Sequence, residues 1–317
     1  MMEPRLVSTF SIVARDAASG DFGVAVQSRH FNVGAGVPWA EAGIGAVATQ
    51  AFVEIGYGPR ALDLLRAGAG AKESLDRLLA ADPAAAIRQV AVVDAHGDVA
   101  VHTGAGCIPF AGHREGDGFT VQGNLLATDR VCDAMARAFE RAQGAFPSRL
   151  VAALEAGEAA GGDARGRESA ALFVVRSVSA SEPWRNRAVD LRVENHRKPI
   201  DELQRLLRIH QAFFALDEAA RALGEGRIDD ARALGAEALR RGRAHDELSF
   251  WVGILLARLG DEDAGVLALR SALRRNARLR SVLSRLPAAY RPPETVLRRV
   301  LLRHEVRRLQ PRTAASS

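Results

Sequence analysis

Segments with strand-forming character occur only before Ile200 in this 317-residue chain. They are short, rich in valine and alanine, and bounded by glycine, serine and aspartate, a composition typical of strands and turns. After Ile200, leucine and alanine recur at helical spacing instead. The sequence therefore predicts an α+β domain over residues 8–204 and an all-helical module over residues 205–310.

The order of segments in the first part indicates a layered fold. Thr9–Arg15 and Phe22–Ser28 flank a turn and predict a hairpin, and Gly43–Thr49 is a third strand candidate. The leucine spacing then predicts helices, one of them over residues 125–143, before the strand candidate Ser169–Arg176. Paired strands, then helices, then strands favour an α+β sandwich over the regular alternation of a doubly wound fold.

The helical part shows a weak internal repeat. Asp230-Ala231 and Leu234 recur as Asp263-Ala264 and Leu267, an offset close to the ~34 residues of tetratricopeptide helix pairs. The sequence therefore predicts a small helical module, similar in period to a tetratricopeptide array, that packs on the first domain or on a partner protein.

Charge is distributed unevenly along the chain. Residues 1–204 hold 21 Lys+Arg against 25 Asp+Glu, whereas residues 205–317 hold 22 against 13. A basic half can bind polyanions, but most of these arginines stand beside acidic residues on predicted helices, as a solvated helix face requires. Zinc-finger spacing and interleaved aromatic and basic residues are both missing from the sequence, so no nucleic acid partner is expected.

Composition also sets expectations about location. No apolar run reaches the ~18–20 residues of a membrane helix, and Met1–Val7 lacks the apolar core of a signal peptide. We therefore expect a cytoplasmic protein with no membrane partner. Cys107 and Cys132 could pair, but a disulfide framework normally uses more cysteines in a shorter chain.

Thr9 opens the first predicted strand and is the first candidate for chemistry. An amino-terminal Thr, Ser or Cys at the start of a strand can attack an amide while its own α-amine acts as the base. That amine has a pKa near neutrality, so the mechanism needs few other residues. The plain alternative is a threonine that only begins a strand.

Two glycine-containing loops are further candidates. Gly123-Asn124 follows a short strand, where an Asn amide or a backbone N–H can stabilise an oxyanion. In the loop of residues 161–166, the glycines permit close approach to a ligand, and Asp163 with Arg165 can orient a polar substrate or pair with each other. A phosphate loop is excluded, because the Lys-Ser/Thr ending is missing and a strand follows. A turn and a solvated loop are the structural alternatives.

Cys107 gives an alternative site. It lies in a glycine-rich bend between His102 and His113, and a Cys/His nucleophile or a metal site would use such residues. The spacing matches no zinc pattern, so no metal is predicted, and a buried thiol beside ordinary histidines is the structural alternative. His30, after Arg29 and the second strand, is a similar candidate.

Nine stretches of the first part form an ordered set of motifs. They are Thr9-Phe-Ser-Ile-Val-Ala-Arg-Asp16, Gly23-Val-Ala-Val-Gln-Ser28, Val37-Pro-Trp39, Gly43-Ile-Gly-Ala-Val-Ala-Thr-Gln50, Tyr57-Gly-Pro59, Thr103-Gly-Ala-Gly-Cys107, Gly112-His113, Gln122-Gly-Asn124 and Gly161-Gly-Asp-Ala-Arg-Gly166. Over residues 8–210 they resemble the bacterial domain-of-unknown-function family 1028. Residues 247–289 are similar to the helical extension, labelled peptidoglycan-binding-like, that some family members carry.

The resemblance implies an amino-terminal nucleophile hydrolase fold, a four-layer αββα sandwich of two antiparallel sheets between helical layers. It implies that Thr9 is the nucleophile, that Asn124 donates to an oxyanion, and that Asp163 and Arg165 orient the substrate. Further substrate contacts are expected from Arg29, His30, Gln50 and Gly123. Exposure of Thr9 requires another translation start or cleavage after Ser8.

Three functional hypotheses follow. The first is a cofactor-free hydrolase of amide or related C–N bonds in a small molecule or peptide. The second is a catalytically silent binding or scaffold protein, with a protein partner at the helical part or a homo-oligomeric state. The third is an enzyme or metal site centred on Cys107.

Overall fold

The computed structural model describes residues 5–309, with side chains over residues 8–301 apart from 183 and 184. The chain forms two compact units that divide between Leu207 and Arg208. The first mixes helices with antiparallel sheets and the second is helical, which confirms the change of class predicted after Ile200. None of the described helices is long and apolar enough to cross a membrane.

The larger sheet of the first unit has six antiparallel strands. In spatial order they are β11 (Arg187–Val193), β10 (Ser169–Val175), β3 (Phe22–Ser28), β2 (Thr9–Arg15), β9 (Phe119–Gly123) and β8 (Gly112–Gly116). The predicted hairpin forms its centre, with Thr9 opposite Ser28.

The smaller sheet is built on one long strand, β5 (Gly45–Val53). On one edge β5 pairs with β6 (Arg88–Asp94), which pairs in turn with β7 (Val99–Thr103). The opposite edge carries β4 (Pro38–Glu41) and then the three-residue strand β1 (Arg5–Val7).

Helices cover both sheets on their outer faces. The smaller sheet shares a buried apolar core with α1 (Tyr57–Arg66) and α2 (Ala71–Ala80). The larger sheet shares one with α3 (Val131–Arg141), α4 (Phe146–Ala159) and the first turns of α5 (Pro199–Gly224). A third core lies between the sheets and consists mainly of valine and alanine, such as Val13, Val24, Ala91 and Val93.

The helical unit continues from α5 through five more helices among the described residues. They are α6 (Ile228–Gly242), α7 (Asp246–Arg258), α8 (Glu262–Arg275), α9 (Leu279–Arg285) and α10 (Glu294–Leu309). Gly253 of α7 and Gly265 of α8 let these helices approach closely, since a Cβ on either glycine would lie within 3.1 Å of the other glycine's carbonyl oxygen.

The predicted helix over residues 125–143 is wrong at its start. Helix α3 begins at Val131, because Leu125 takes a left-handed φ of 49° and Leu126 bridges to Asp163. Three strands escaped prediction, and β1 has only three residues. Strand β4 has only four residues, and β8 reads Gly-His-Arg-Glu-Gly, a partly exposed edge without apolar side chains.

Candidate functional site

Thr9 lies at the first position of β2 and is fully buried. Successive side chains of a strand point to opposite faces, and Phe10 and Ile12 contact the helical core of α3 and α4. Ser11 and Val13 point to the other sheet, because Ser11 bonds to Gln50 of β5 and Val13 lies in the core between the sheets. The Thr9 side chain therefore also faces the space between the sheets.

The carbonyl oxygen of Ser8, just before Thr9, accepts two hydrogen bonds. One comes from the Ser28 hydroxyl on β3 and the other from Arg165 Nη2, at 2.9 Å. Ser8 is itself fully buried. A neutral and a cationic donor thus converge on the peptide bond that joins Ser8 to Thr9, and two such donors polarise a carbonyl.

Asp163 fixes the position of Arg165. Its Oδ1 accepts from Arg165 N and Nε at 2.9 and 3.1 Å, and its Oδ2 accepts from Arg165 Nη2 at 2.8 Å and from Arg29 N at 3.0 Å. The Asp163 side chain is 0% exposed and that of Arg165 is 32% exposed. The loop can bend this way because Gly161 and Gly162 take φ values of 128° and 63°.

A buried amide network holds the carbonyl of Thr9 from the other side. Asn124 N and Gln50 Nε2 donate to Thr9 O at 3.1 and 3.4 Å. Gln50 Nε2 and Asn124 Nδ2 both donate to Gln89 Oε1, and Ser11 Oγ donates to Gln50 Oε1. These side chains are 0–1% exposed, and buried hydrogen bonds of this kind restrict the groups that they join.

The two ends of the Asn124 side-chain amide have different surroundings in this network. Its Nδ2 group donates to Gln89, whereas its Oδ1 is buried and has no hydrogen-bond partner within the described part of the chain. The converging donors on the Ser8 carbonyl are Ser28 and Arg165 instead. The oxyanion role assigned to Asn124 from its position in the sequence stays a prediction.

The other predicted substrate contacts lie around the end of β3. The backbone N–H of His30 donates to Ser28 Oγ at 2.9 Å, and the Arg29 guanidinium pairs with Glu168. His30 also lines a cavity of about 170 Å³ together with Val33, Val37, Val53 and Ile55. At the end of β9, the Gly123 carbonyl accepts a hydrogen bond from Gln89 Nε2 at 2.9 Å.

The backbone of β5 is unusual next to Gln50. Ala51 has φ 69°, a left-handed conformation that alanine rarely takes inside a strand. It lies opposite Val7 of β1. Such conformations persist only where surrounding contacts hold them, and they cluster at functional sites.

The residues of the alternative site do not form an activated thiol. Cys107 Sγ donates to the Arg88 carbonyl at 3.3 Å, and burial raises the pKa of this thiol. His102 Nε2 lies 2.9 Å from the Ala85 carbonyl, and His113 Nδ1 bonds to Thr103 Oγ1. Within residues 5–309 no group of three or more His, Cys, Asp or Glu is arranged to hold a metal ion.

We expect both cysteines to react slowly in the folded protein. Burial raises the pKa of Cys132 to about 12, so at pH 8 its thiolate is roughly 2,000-fold scarcer than that of a free thiol with pKa near 8.5. Measurement with a disulfide reagent at pH 8 should show slow labelling before unfolding and two fast equivalents after it. Fast labelling of Cys107 in the folded protein would support the thiol hypothesis.

A wider cleft of about 820 Å³ lies elsewhere, between α2 and the turns around Asp98 and Asp117. It contains none of the site residues predicted from the sequence. The residues predicted for the threonine site gather instead around Thr9, with Ser11, Ser28 and Gln89 as partners that the sequence analysis did not assign. Ser28 was detectable only as the hydroxyl residue opposite Thr9 in the predicted hairpin.

The fold and the site define a protein whose first unit pairs two antiparallel sheets around a buried threonine. The chain belongs to DUF1028, a family of unknown function, whose model matches residues 9–203. The crystal structure of a Silicibacter pomeroyi protein assigned to the same family model is 32% identical, with a TM-score of 0.58. The match covers 63% of this chain and 85% of that one. No curated protein matches the chain.

Proposed function

We propose that the first unit is an amino-terminal nucleophile hydrolase of the αββα type and cleaves amide C–N bonds with Thr9 as nucleophile. The observation that carries this proposal is the pair of donors, Ser28 Oγ and Arg165 Nη2, on the carbonyl next to Thr9. The two sheets with helices on both outer faces support the fold type. The family match also begins at Thr9.

The donors suit an oxyanion that forms within reach of Thr9. The Ser8 carbonyl carbon is bonded to the Thr9 nitrogen, so attack by the Thr9 hydroxyl would close a five-membered ring on it. Once Ser8 is gone, a substrate carbonyl attacked by the same hydroxyl lies in the same neighbourhood. Ser28 and Arg165 then donate to the developing negative charge, a contribution that grows in the transition state.

The chemistry runs in two stages. The Thr9 hydroxyl attacks the substrate carbonyl carbon and its proton passes to the freed Thr9 α-amine. The C–N bond then breaks, the leaving amine takes that proton, and an ester to Thr9 remains. Water, deprotonated by the same α-amine, hydrolyses the ester and releases the acid.

The α-amine is the proposed base, because the arginines beside Thr9 and the two lysines of the first unit do not serve as one. Arg29 and Arg165 carry guanidinium groups, which are poor general bases. Lys72 and Lys198 are 83% and 67% exposed and pair with Asp76 and Asp201. A free α-amine with a pKa of about 7.7–8.0 is poised for proton transfer near neutral pH.

A different function follows if Thr9 is never released. In the chain as described, Thr9 is fully buried and its nitrogen is acylated by Ser8. A catalytically silent binding protein on the same fold would keep this state, and the helical unit would supply its partner contacts.

The amino terminus decides between these functions. Two proteins are prepared, the intact chain and a chain released from a fusion so that Thr9 is its first residue. We expect the second to hydrolyse members of an amide panel at least ~100-fold faster, because it alone has the α-amine base. Equal inactivity of two folded proteins across the panel would support the silent protein instead.

A further inference from the structure

Strand β1 lies where an extended peptide could lie. Its residues pair antiparallel with β5, Arg5 opposite Val53, Leu6 opposite Phe52 and Val7 opposite Ala51. The chain then passes through Ser8, whose carbonyl rests on Ser28 and Arg165, and enters the other sheet at Thr9. Residues 5–8 therefore lead directly from the edge of β5 to the reacting position.

The edge under β1 would be open without it. Strand β6 pairs with the opposite edge of β5, and β4 pairs only with residues 45–48. Removal of residues 1–8 would leave those backbone groups of residues 51–53 that point to β1 without their partner strand. An exposed strand edge of this kind is a template for an added strand. The left-handed Ala51 lies at the point where this edge meets the site.

We infer that the substrates are extended peptides whose residues on the acyl side add a strand to β5 at Ala51–Val53. This inference rests on the proposed function and assigns its substrate class. Residues 5–7 take the place of the substrate strand in the intact chain, and the Ser8 carbonyl takes the place of the scissile carbonyl. The segment before Thr9 therefore resembles a bound substrate and blocks the site where a substrate would bind.

The position of Ser8 adds a size limit. Ser8 is 0% exposed and its Oγ has no hydrogen-bond partner among the described residues. The residue that gives its carbonyl to the reaction is thus enclosed, and a larger side chain would overlap the surrounding atoms. Glycine, alanine or serine is therefore expected there.

The test uses a capped tetrapeptide with the sequence of residues 5–8, acetyl-Arg-Leu-Val-Ser-amide. It is titrated by NMR into a chain that begins at residue 9 and carries Thr9→Ala, so that binding is measured without catalysis. The intact chain, in which β1 occupies the edge, is the matched control. We expect binding to the first protein and at least ~10-fold weaker binding to the second.

N-methylation of the peptide separates strand addition from other modes. In an antiparallel ladder only alternate residues direct their N–H to the partner strand. A methyl group on the amide of Leu6 or of Val7, but not on both, should therefore reduce affinity at least ~10-fold. Replacement of the final serine by leucine should abolish binding. Binding that tolerates all these changes, or absence of binding, would overturn the inference.

A second protein keeps the inference testable if the chain that begins at residue 9 does not fold. In the chain that starts at Met1, Arg5→Gly, Leu6→Gly and Val7→Gly together should weaken β1. Acetyl-Arg-Leu-Val-amide should then bind where the unsubstituted chain excludes it. Peptide binding without any amide hydrolysis would contradict the proposed function alone. Hydrolysis of small amides without peptide binding would contradict this inference alone.

Discussion

In a chain that begins at residue 9, we expect Thr9→Ala to abolish the proposed amide hydrolysis, with a loss of at least ~1,000-fold in kcat. This variant keeps the α-amine, the donors Ser28 and Arg165, and the free edge of β5. The loss of activity can therefore be attributed to the missing hydroxyl. Removal of a catalytic nucleophile typically costs several orders of magnitude, because the covalent route closes.

Thr9→Ser is the matched control for this prediction. Serine keeps both the hydroxyl and the α-amine, so activity should remain within ~10-fold of the threonine protein. A burst of amine in the first turnover would report the ester intermediate. If Thr9→Ala retained the activity of the parent chain, another residue would be the nucleophile and the proposed mechanism would be wrong.

Asp163→Ala should destabilise the first unit by about 3–5 kcal/mol in free energy of unfolding. The carboxylate is fully enclosed and receives the backbone N–H groups of Arg29 and Arg165 as well as the Arg165 guanidinium. Alanine leaves those buried donors unpaired and releases Arg165. Denaturant unfolding, with hydrogen exchange of β2 and β3 to report on the first unit, measures the effect.

Asp129→Ala is the control for Asp163→Ala. Asp129 is an exposed carboxylate of the neighbouring loop, and its loss should change the free energy of unfolding by no more than ~0.5 kcal/mol. A change below ~1 kcal/mol for Asp163→Ala would mean that the Asp163–Arg165 pair does not organise the loop.

The sequence predicted the framework of the fold because the framework follows local patterns. Thr9–Arg15 and Phe22–Ser28 form the strands predicted from their composition, and Ile228 begins a helix as the leucine spacing indicates. Errors occurred where tertiary contacts override local preference. Leu125 has helix-forming neighbours, but its carbonyl accepts from Ala164 N and its N–H donates to the Ile108 carbonyl.

The candidate site was predictable only in part. The Asp163–Arg165 pair can be derived from adjacency in one loop, as the structure shows. The bond from Arg165 to the Ser8 carbonyl spans 157 positions of the chain, and no local pattern encodes it. Gln89 was missed for the same reason, since a glutamine in a strand gives no sign that its amide will join two sheets.

The space between the two sheets is divided between two kinds of contact. Around Val13, Val24 and Val93 it is filled by aliphatic side chains, which exchange for one another with modest loss. Around Gln50 and Gln89 it is occupied by side-chain amides that form hydrogen bonds in fixed orientations. An aliphatic residue at either position would leave buried polar groups without a hydrogen-bond partner. Among family members, the positions of Val13, Val24 and Val93 should therefore exchange one aliphatic residue for another. The positions of Gln50 and Gln89 should vary much less, although they lie in the same layer.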